Sequence, residues 1–153
     1  MPLIGVISDT HGLLRPEAVA GLTGSDLIVH GGDIGAPDIV PALEEIAPVL
    51  AIRGNIDLAD WATVYDEVLT AERFGITLHV LHDLNTLALD PAAEGIDVVI
   101  SGHSHAPKVE CKDGVLFLNP GSAGRRRFRL PVSIATISVE GGTLSAELHE
   151  LAV

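Results

Sequence analysis

The sequence predicts an α/β domain in which two packed β-sheets are flanked by helices. Three observations carry that class. Strand-like and helix-like segments alternate over the first third of the chain, strand-like runs then follow one another with only short punctuation, and 153 residues suffice for one sizeable core but not for two. A single domain over 1–153 is therefore expected.

Residues 2–8 read as a buried strand, a short apolar run that stops at polar residues, and 26–30 repeats the arrangement with a Gly-rich stop. Residues 48–53 make a third. Between them 15–22 and 37–47 are helix-like: Pro16 and Pro37 stand near the starts, and Ile39, Val40, Leu43 and Ile46 recur at helical spacing. The second half is mostly strand, at 62–70, 75–81, 96–101, 107–111 and 115–119, with Asp113-Gly114 as a hairpin turn between the last two. Residues 86–95 are expected to hold one short helix begun at Asp90-Pro91. A final strand pair, 131–139 and 143–150, turns at Gly141-Gly142.

Composition excludes several function classes. Cys111 is the only cysteine, so neither an intrachain disulfide nor a Cys-based zinc site can form, which fits a cytoplasmic setting. No activating base stands near Cys111 in sequence, and it is given no role. No apolar stretch approaches the ~20 residues of a membrane span, and the N-terminus lacks the basic region and cleavage site of a signal peptide. A net charge of −12 opposes attraction to long nucleic acid and to anionic lipid, so neither is expected as a partner. Few aromatic residues are available for base stacking, and Trp61, Tyr65 and Phe128 are those expected near a cleft. Four of the nine basic residues cluster as Arg125, Arg126, Arg127 and Arg129; this is either a solvated turn or a phosphate-attracting rim.

The functional signal is where polar residues fall. Asp9-Thr10-His11, Gly31-Gly32-Asp33, Gly54-Asn55-Ile56-Asp57, His82-Asp83 and Gly102-His103-Ser104-His105 each follow an apolar run. In α/β sheets such positions gather at the carboxyl ends of strands, where loops converge on a ligand. Carboxylates neutralise divalent cations, imidazoles bind manganese, iron, nickel and zinc, and Asn55 offers a carbonyl oxygen without adding charge. Any one of these short motifs is ordinarily a turn. Five at successive strand ends point to a metal site. His30, His79 and His149 lie outside the pattern and are expected to be structural.

Asp-x-His, Gly-Asp, Gly-Asn, His and Gly-His-x-His in this order resemble the calcineurin-like metallophosphoesterases, most closely the small bacterial and archaeal phosphodiesterase branch, to which the noncatalytic retromer scaffold subunit is related. The likeness spans nearly the whole chain and includes Asn119-Pro120-Gly121-Ser122. It implies a sandwich of two mixed sheets flanked by helices. It implies a first metal on Asp9, His11, Asp33 and His105, and a second on Asp33, Asn55, His82 and His103, with Asp33 bridging. Manganese is the expected ion, with nickel, iron, zinc and magnesium as alternatives. The implied reaction is phosphoester hydrolysis by hydroxide generated on the metals, of a small phosphodiester sooner than a monoester. His11, Asn55 and Asp57 are the implied catalytic residues, and Arg125, Arg126 and Arg127 the residues expected to draw in substrate or, alternatively, to mediate self-association. Two departures stand out: Ile56, where larger relatives carry a proton-donating histidine, and Asp83, where the family usually has glycine. The rival readings are a scaffold or a metal-dependent binding protein on the same fold.

Overall fold

The computed structural model describes residues 1–127 and 129–153, and its core lies between two five-stranded mixed sheets. The first sheet holds β1 (Leu3–Ile7), β2 (Leu27–His30), β3 (Val49–Ala51), β9 (Ser133–Glu140) and β10 (Thr143–Glu150), in the order β10-β9-β1-β2-β3. The second holds β4 (Val68–Arg73), β5 (Ile76–Leu81), β6 (Val98–Ile100), β7 (Lys108–Lys112) and β8 (Val115–Asn119), in the order β4-β5-β6-β8-β7. In each sheet three strands run parallel, β1-β2-β3 and β5-β6-β8, and antiparallel strands complete the set.

The period of two decides which side chain meets which layer. Ile4 and Val6 of β1, Val29 of β2, Leu78 and Val80 of β5, Ile100 of β6 and Leu118 of β8 meet in the inter-sheet core. The alternate residues Ile7 and Ile28 face outward, where α1 (Pro16–Leu22) and α2 (Ile39–Glu44) cover them with Ala18, Leu22, Ile39 and Leu43. Strands buried on both faces explain why these runs read as continuously apolar. On the far face of the second sheet Leu81, Val99 and Val115 are covered by Leu87, Leu89 and Ile96.

Two expected elements differ. Residues 62–70 form no single strand: a 3₁₀ turn, Asp60–Val64, comes first, and β4 starts at Val68. The hairpin turn sets this register, because Phe74 (φ 55°) and Gly75 (φ 79°) are both left-handed and pair Arg73 directly with Ile76. Residues 86–95 form no α-helix either. A 3₁₀ turn spans Leu84–Thr86, and the turn that Asp90-Pro91 begins closes after one round at Gly95 (φ 72°). Asp113 (φ 52°) and Gly114 (φ 77°) make the expected hairpin between β7 and β8. No helix among the described residues is long and apolar enough to cross a membrane.

Candidate metal centre

Backbone hydrogen bonds tie the loop after β1 to that after β2, and the loop after β5 to that after β6. Asp9 N–H donates to Gly32 O at 3.0 Å, His11 N–H to Asp33 O at 2.9 Å, and Gly102 N–H to His82 O at 3.0 Å. Five of the seven expected ligands have left-handed backbones: Asp9 (φ 55°), His11 (48°), Asp33 (55°), His103 (69°) and His105 (62°). Outside glycine that conformation costs on the order of 1 kcal/mol or more per residue and persists only where the surroundings enforce it, typically at functional sites. Close backbone approach adds to the constraint. A Cβ on Gly102 would overlap Ser8 Oγ and Asp9 Oδ2, and one on Gly54 would overlap the Asp33 carboxylate.

All seven side chains come together. Ligating atoms of Asp9, His11 and His105 lie within 4.8 Å of one another, and so do those of Asp33, His82 and His103. Asp33 Oδ2 stands 3.2 Å from His82 Nε2 and 3.5 Å from His11 Nε2, and so faces both groups. Asp9 Oδ1 stands 3.3 Å from His105 Nε2 and 3.7 Å from His11 Nε2. Asn55 Oδ1 lies 3.2 Å from His103 Nδ1.

Each carboxylate anchors one oxygen and presents the other. Asp9 Oδ2 accepts from Ser8 Oγ (2.7 Å) and from His103 N–H (3.1 Å), and Asp33 Oδ1 accepts from Ile56 N–H (3.1 Å). A bridge through Asp33 would therefore use the single oxygen Oδ2. Asp9 Oδ1, His11 Nε2, His82 Nε2 and His105 Nδ1 are buried without a hydrogen-bond partner. Buried polar atoms are rarely left so, because each forfeits its hydration. The first three converge where a cation would satisfy them, and the donor set of carboxylate, imidazole and amide oxygen suits a divalent ion. His82 Nδ1 lies 2.8 Å from Gly31 O. A carbonyl only accepts, so Nδ1 carries the proton and Nε2 presents its lone pair to the site.

The electrostatics agree. Burial alone would raise Asp9, but the adjacent imidazoles of His105 and His11 and the Ser8 hydroxyl outweigh it and hold the carboxyl well below the usual range. Burial likewise opposes ionisation of Asp33, and His82 overcomes it to bring that carboxyl down. The adjacent Asp9 carboxylate raises His11, while His82 rises against its own burial because Asp33 and Gly31 O favour its protonated form. This field, which favours positive charge on the imidazoles, equally favours a divalent cation.

Several residues support the ligands rather than join them. Asp57 sits behind the site: Oδ2 accepts from Ile34 N–H (2.9 Å) and Gly54 N–H (2.8 Å), and Oδ1 from Gly35 N–H (2.9 Å). Asp57 thus clips two ligand loops together, with both oxygens engaged and the residue 3% exposed. His30 accepts from Gly32 N–H at Nδ1 (3.1 Å), so its Nε2–H donates to Thr10 Oγ1 (3.0 Å), whose hydroxyl donates to Ile34 O. Burial pushes His30 down to about 4 and keeps it neutral. Asn119 Nδ2 donates to Gly102 O (2.9 Å) and Ser104 Oγ (3.1 Å), holding the loop that carries His103 and His105, and Ser122 Oγ donates to Asp9 O (3.0 Å). His30 is the structural histidine expected, whereas sequence reasoning misses Ser8 and Thr10 as supports; their signal is a polar residue beside a ligand at a strand end. His79 and His149 bond Thr70 and Thr136, away from the site.

Asp83 does not orient His82. Its Oδ1 accepts from Asn85 N–H (3.0 Å), and its Oδ2 lies 4.0 Å from His103 Nε2. The Ile56 side chain is 42% exposed and has no proton to give. Trp61 and Tyr65 pack against the core cluster that holds Ile39, Val40 and Leu43 of α2. Phe128 lies outside the described residues. Arg125, Arg126 and Arg127 are exposed, directly after Gly124, whose Cα abuts the backbone of Asp9 and Thr10.

A family profile described as the calcineurin-like phosphoesterase superfamily domain matches residues 3–142. A probable metallophosphoesterase of Methanothermobacter thermautotrophicus is 36% identical over 157 residues, covering 95% of this chain and 91% of its own. A phosphodiesterase of Methanocaldococcus jannaschii is 27% identical over 136 residues, covering 77% of this chain and 82% of its own. Among solved structures, vacuolar protein sorting 29 of Cryptosporidium parvum shares the fold with a TM-score of 0.76 at 20% identity, over 98% of this chain and 97% of that one.

Proposed function

Because the chain belongs to the calcineurin-like phosphoesterase superfamily, we propose that it is a metal-dependent phosphoric ester hydrolase that holds two divalent ions and acts on small phosphodiesters in preference to monoesters. Asp9, His11, Asp33 and His105 hold one ion, and Asp33, Asn55, His82 and His103 the other. The observation that carries this reading is the convergence of unpartnered buried atoms, Asp9 Oδ1, His11 Nε2 and His82 Nε2, around the free Asp33 oxygen. When bound, such ions neutralise phosphoryl charge and supply hydroxide near neutral pH. Manganese is the first ion to test, followed by nickel, iron, zinc and magnesium.

The chain's own residues fix the geometry. The inward His11 Nε2 supports a ligand role for that residue. Asn55 is exposed at the mouth, and its amide can give an oxygen to a cation while its Nδ2 hydrogens reach a phosphoryl oxygen. In the net reaction the water oxygen bonds to phosphorus and the phosphorus–alcohol bond breaks. The alcohol takes its proton from solvent, since Ile56 cannot donate one.

A scaffold on this fold, the alternative reading, has no chemical use for a complete constellation of left-handed ligand backbones and unpartnered donor atoms. The deciding experiment assays the purified protein, loaded with each ion in turn, on p-nitrophenyl phosphate, bis-p-nitrophenyl phosphate and cyclic nucleotides, with bound metal measured on the same sample. Turnover that tracks metal content supports the hydrolase. Full metal occupancy with no turnover of any ester would favour the binding protein.

A further inference from the structure

Two clefts open on either side of the same pair of residues, His103 and Asp83. One, of about 320 Å³, runs over β8 and is walled by Leu84, Pro107, Phe117 and Leu118. The other, of about 340 Å³, lies toward β4 and is lined by Arg53, Asn55, Glu67, Val68 and Thr86. We propose, building on the hydrolase reading, that these clefts receive the two alcohol arms of a phosphodiester, and that the cleft over Phe117 selects an uncharged or cationic, partly apolar arm.

The placement argues for two arms. A phosphorus atom held beside His103 and Asn55 stands where the clefts meet, so its two ester oxygens point one into each, whereas a monoester would leave one cleft without an occupant. Each volume is that of a small-ligand pocket, enough for an alcohol of several heavy atoms. Charge then sorts the arms. In the cleft over Phe117, Lys108 Nζ is paired with Glu110 Oε2 at 3.1 Å, which leaves Asp83 as the carboxylate whose charge, among the described residues, no lysine or arginine pairing offsets there. Across the ridge the Arg53 guanidinium is already directed to Tyr65 O (2.9 Å) and to Glu67 (3.5 Å). Asp83, which lines both clefts, is thus the unoffset charge beside His103, and a second negative charge on the substrate is opposed there, be it a monoester's or an anionic arm's. The apolar wall of Leu84, Pro107 and Phe117 rewards a carbon-bearing arm by removing its surface from water.

The test uses p-nitrophenyl diesters that share a leaving group and differ only in the retained arm, methyl, 2-aminoethyl or carboxymethyl, alongside p-nitrophenyl phosphate. Kinetics are measured on the metal-loaded wild type, Asp83→Asn and Glu110→Gln. The expected wild-type order in kcat/KM places the 2-aminoethyl and methyl esters above the carboxymethyl ester and the monoester. Asp83→Asn should narrow the ratio of aminoethyl to carboxymethyl by about tenfold. Glu110→Gln, on the far wall, frees Lys108 and should narrow it further from the same side. Each ratio is taken within one protein, so a change in metal content cancels. Ratios identical in the wild type and both variants, or a wild type that prefers the monoester, would overturn the cleft assignment while leaving the hydrolase intact. A metal-loaded wild type that turns over none of the four esters would overturn the hydrolase reading and this one with it.

Discussion

Oδ2 of Asp33 lies 3.2 Å from Nε2 of His82, and the same oxygen is 3.5 Å from Nε2 of His11 in the other ligand group. Asp33 should therefore matter to both ions and Asp9 chiefly to one. Asp33→Asn is expected to lower kcat at saturating metal at least about tenfold further than Asp9→Asn, or about 1.4 kcal/mol in barrier. Bound metal per chain gives an independent reading: Asp9→Asn should keep the ion held by His82 and His103, and Asp33→Asn should bind both weakly. Equal residual activity and equal metal content in the two variants would remove Asp33 as the bridge.

Asp57 joins the Asp33 loop to the Asn55 loop through three backbone N–H donors. Asp57→Ala leaves the buried Ile34 N–H without a partner, at about 1–3 kcal/mol before relaxation, and releases the part-buried Gly35 and Gly54 N–H groups at smaller cost. The expected result is a lower Tm and a metal affinity weaker by about 10–100-fold. At saturating metal the surviving folded enzyme should regain most of its kcat, and Asp57→Asn should recover part of the Tm. A Tm equal to wild type with kcat lost at every metal concentration would return Asp57 to a catalytic role.

How far the chain could be read without coordinates depended on the element. β1 and β2 were plain because strands buried on both faces are continuously apolar and stop where the ligand loops begin. The Asp113-Gly114 hairpin was equally plain, since few residue pairs accept two left-handed conformations. Residues 62–70 were not, because Val64 and Tyr65 suit a strand and a 3₁₀ turn alike, and only the register across Phe74-Gly75 decides where β4 starts. At the site, ligand types were visible but their partners were not. Asp57 and Asp33 are both carboxylates that follow strand ends; which one meets three N–H groups and which presents a free oxygen depends on loop geometry that spacing does not encode. The left-handed ligand backbones were hidden for the same reason.

With Ile56 in place of a proton donor, the leaving group must depart as its anion or draw a proton from solvent. Esters of p-nitrophenol are expected to react faster than alkyl esters by several orders of magnitude, and the logarithm of the rate should fall steeply with leaving-group pKa. Ile56→His, at a 42% exposed position that accepts a larger polar side chain, should flatten that dependence. A shallow wild-type plot, with chemistry shown to limit the rate, would reveal a proton donor elsewhere in the site.

Metal uptake should compete with protons. His11, raised by the adjacent Asp9 carboxylate, and His82, raised by Asp33 against its own burial, have folded pKa values above the ordinary 6.5. In the metal-free protein their stabilisation is fully present below 6.5 and is lost as pH rises through the raised values. The depressed Asp9 and Asp33 act oppositely, stabilising above 3.8 and losing that contribution only as pH falls through their lowered values. His30, pushed down to about 4, destabilises as pH falls from 6.5 toward that value, in both metal-free and metal-loaded protein. The difference in Tm between manganese-loaded and chelated protein should therefore grow from about pH 5.5 to about pH 8, with protons released on binding. A difference that stays flat would mean that ions do not displace protons from these imidazoles.

The arginine cluster offers the last test. The Cα of Gly124 abuts the backbone of Asp9 and Thr10, and Arg15 Nε donates to Gly124 O at 3.0 Å, so the segment that leads into Arg125, Arg126 and Arg127 is pinned beside the first ligand loop. In a chain of net charge −12 an anionic ester is repelled at long range, and the steering hypothesis is that guanidinium groups at this edge reverse the field locally. Neutralising all three arginines to glutamine should raise KM for anionic esters by roughly threefold to tenfold with a smaller loss of kcat, and wild-type kcat/KM should fall as salt rises, because exposed charges are screened over ~10 Å at 0.1 M. The triple variant should lose most of that salt dependence. If the same surface instead joins two copies of the chain, the substitutions will change the sedimentation coefficient and leave KM alone. An unchanged KM at low ionic strength would therefore rule out steering, whatever the oligomeric state.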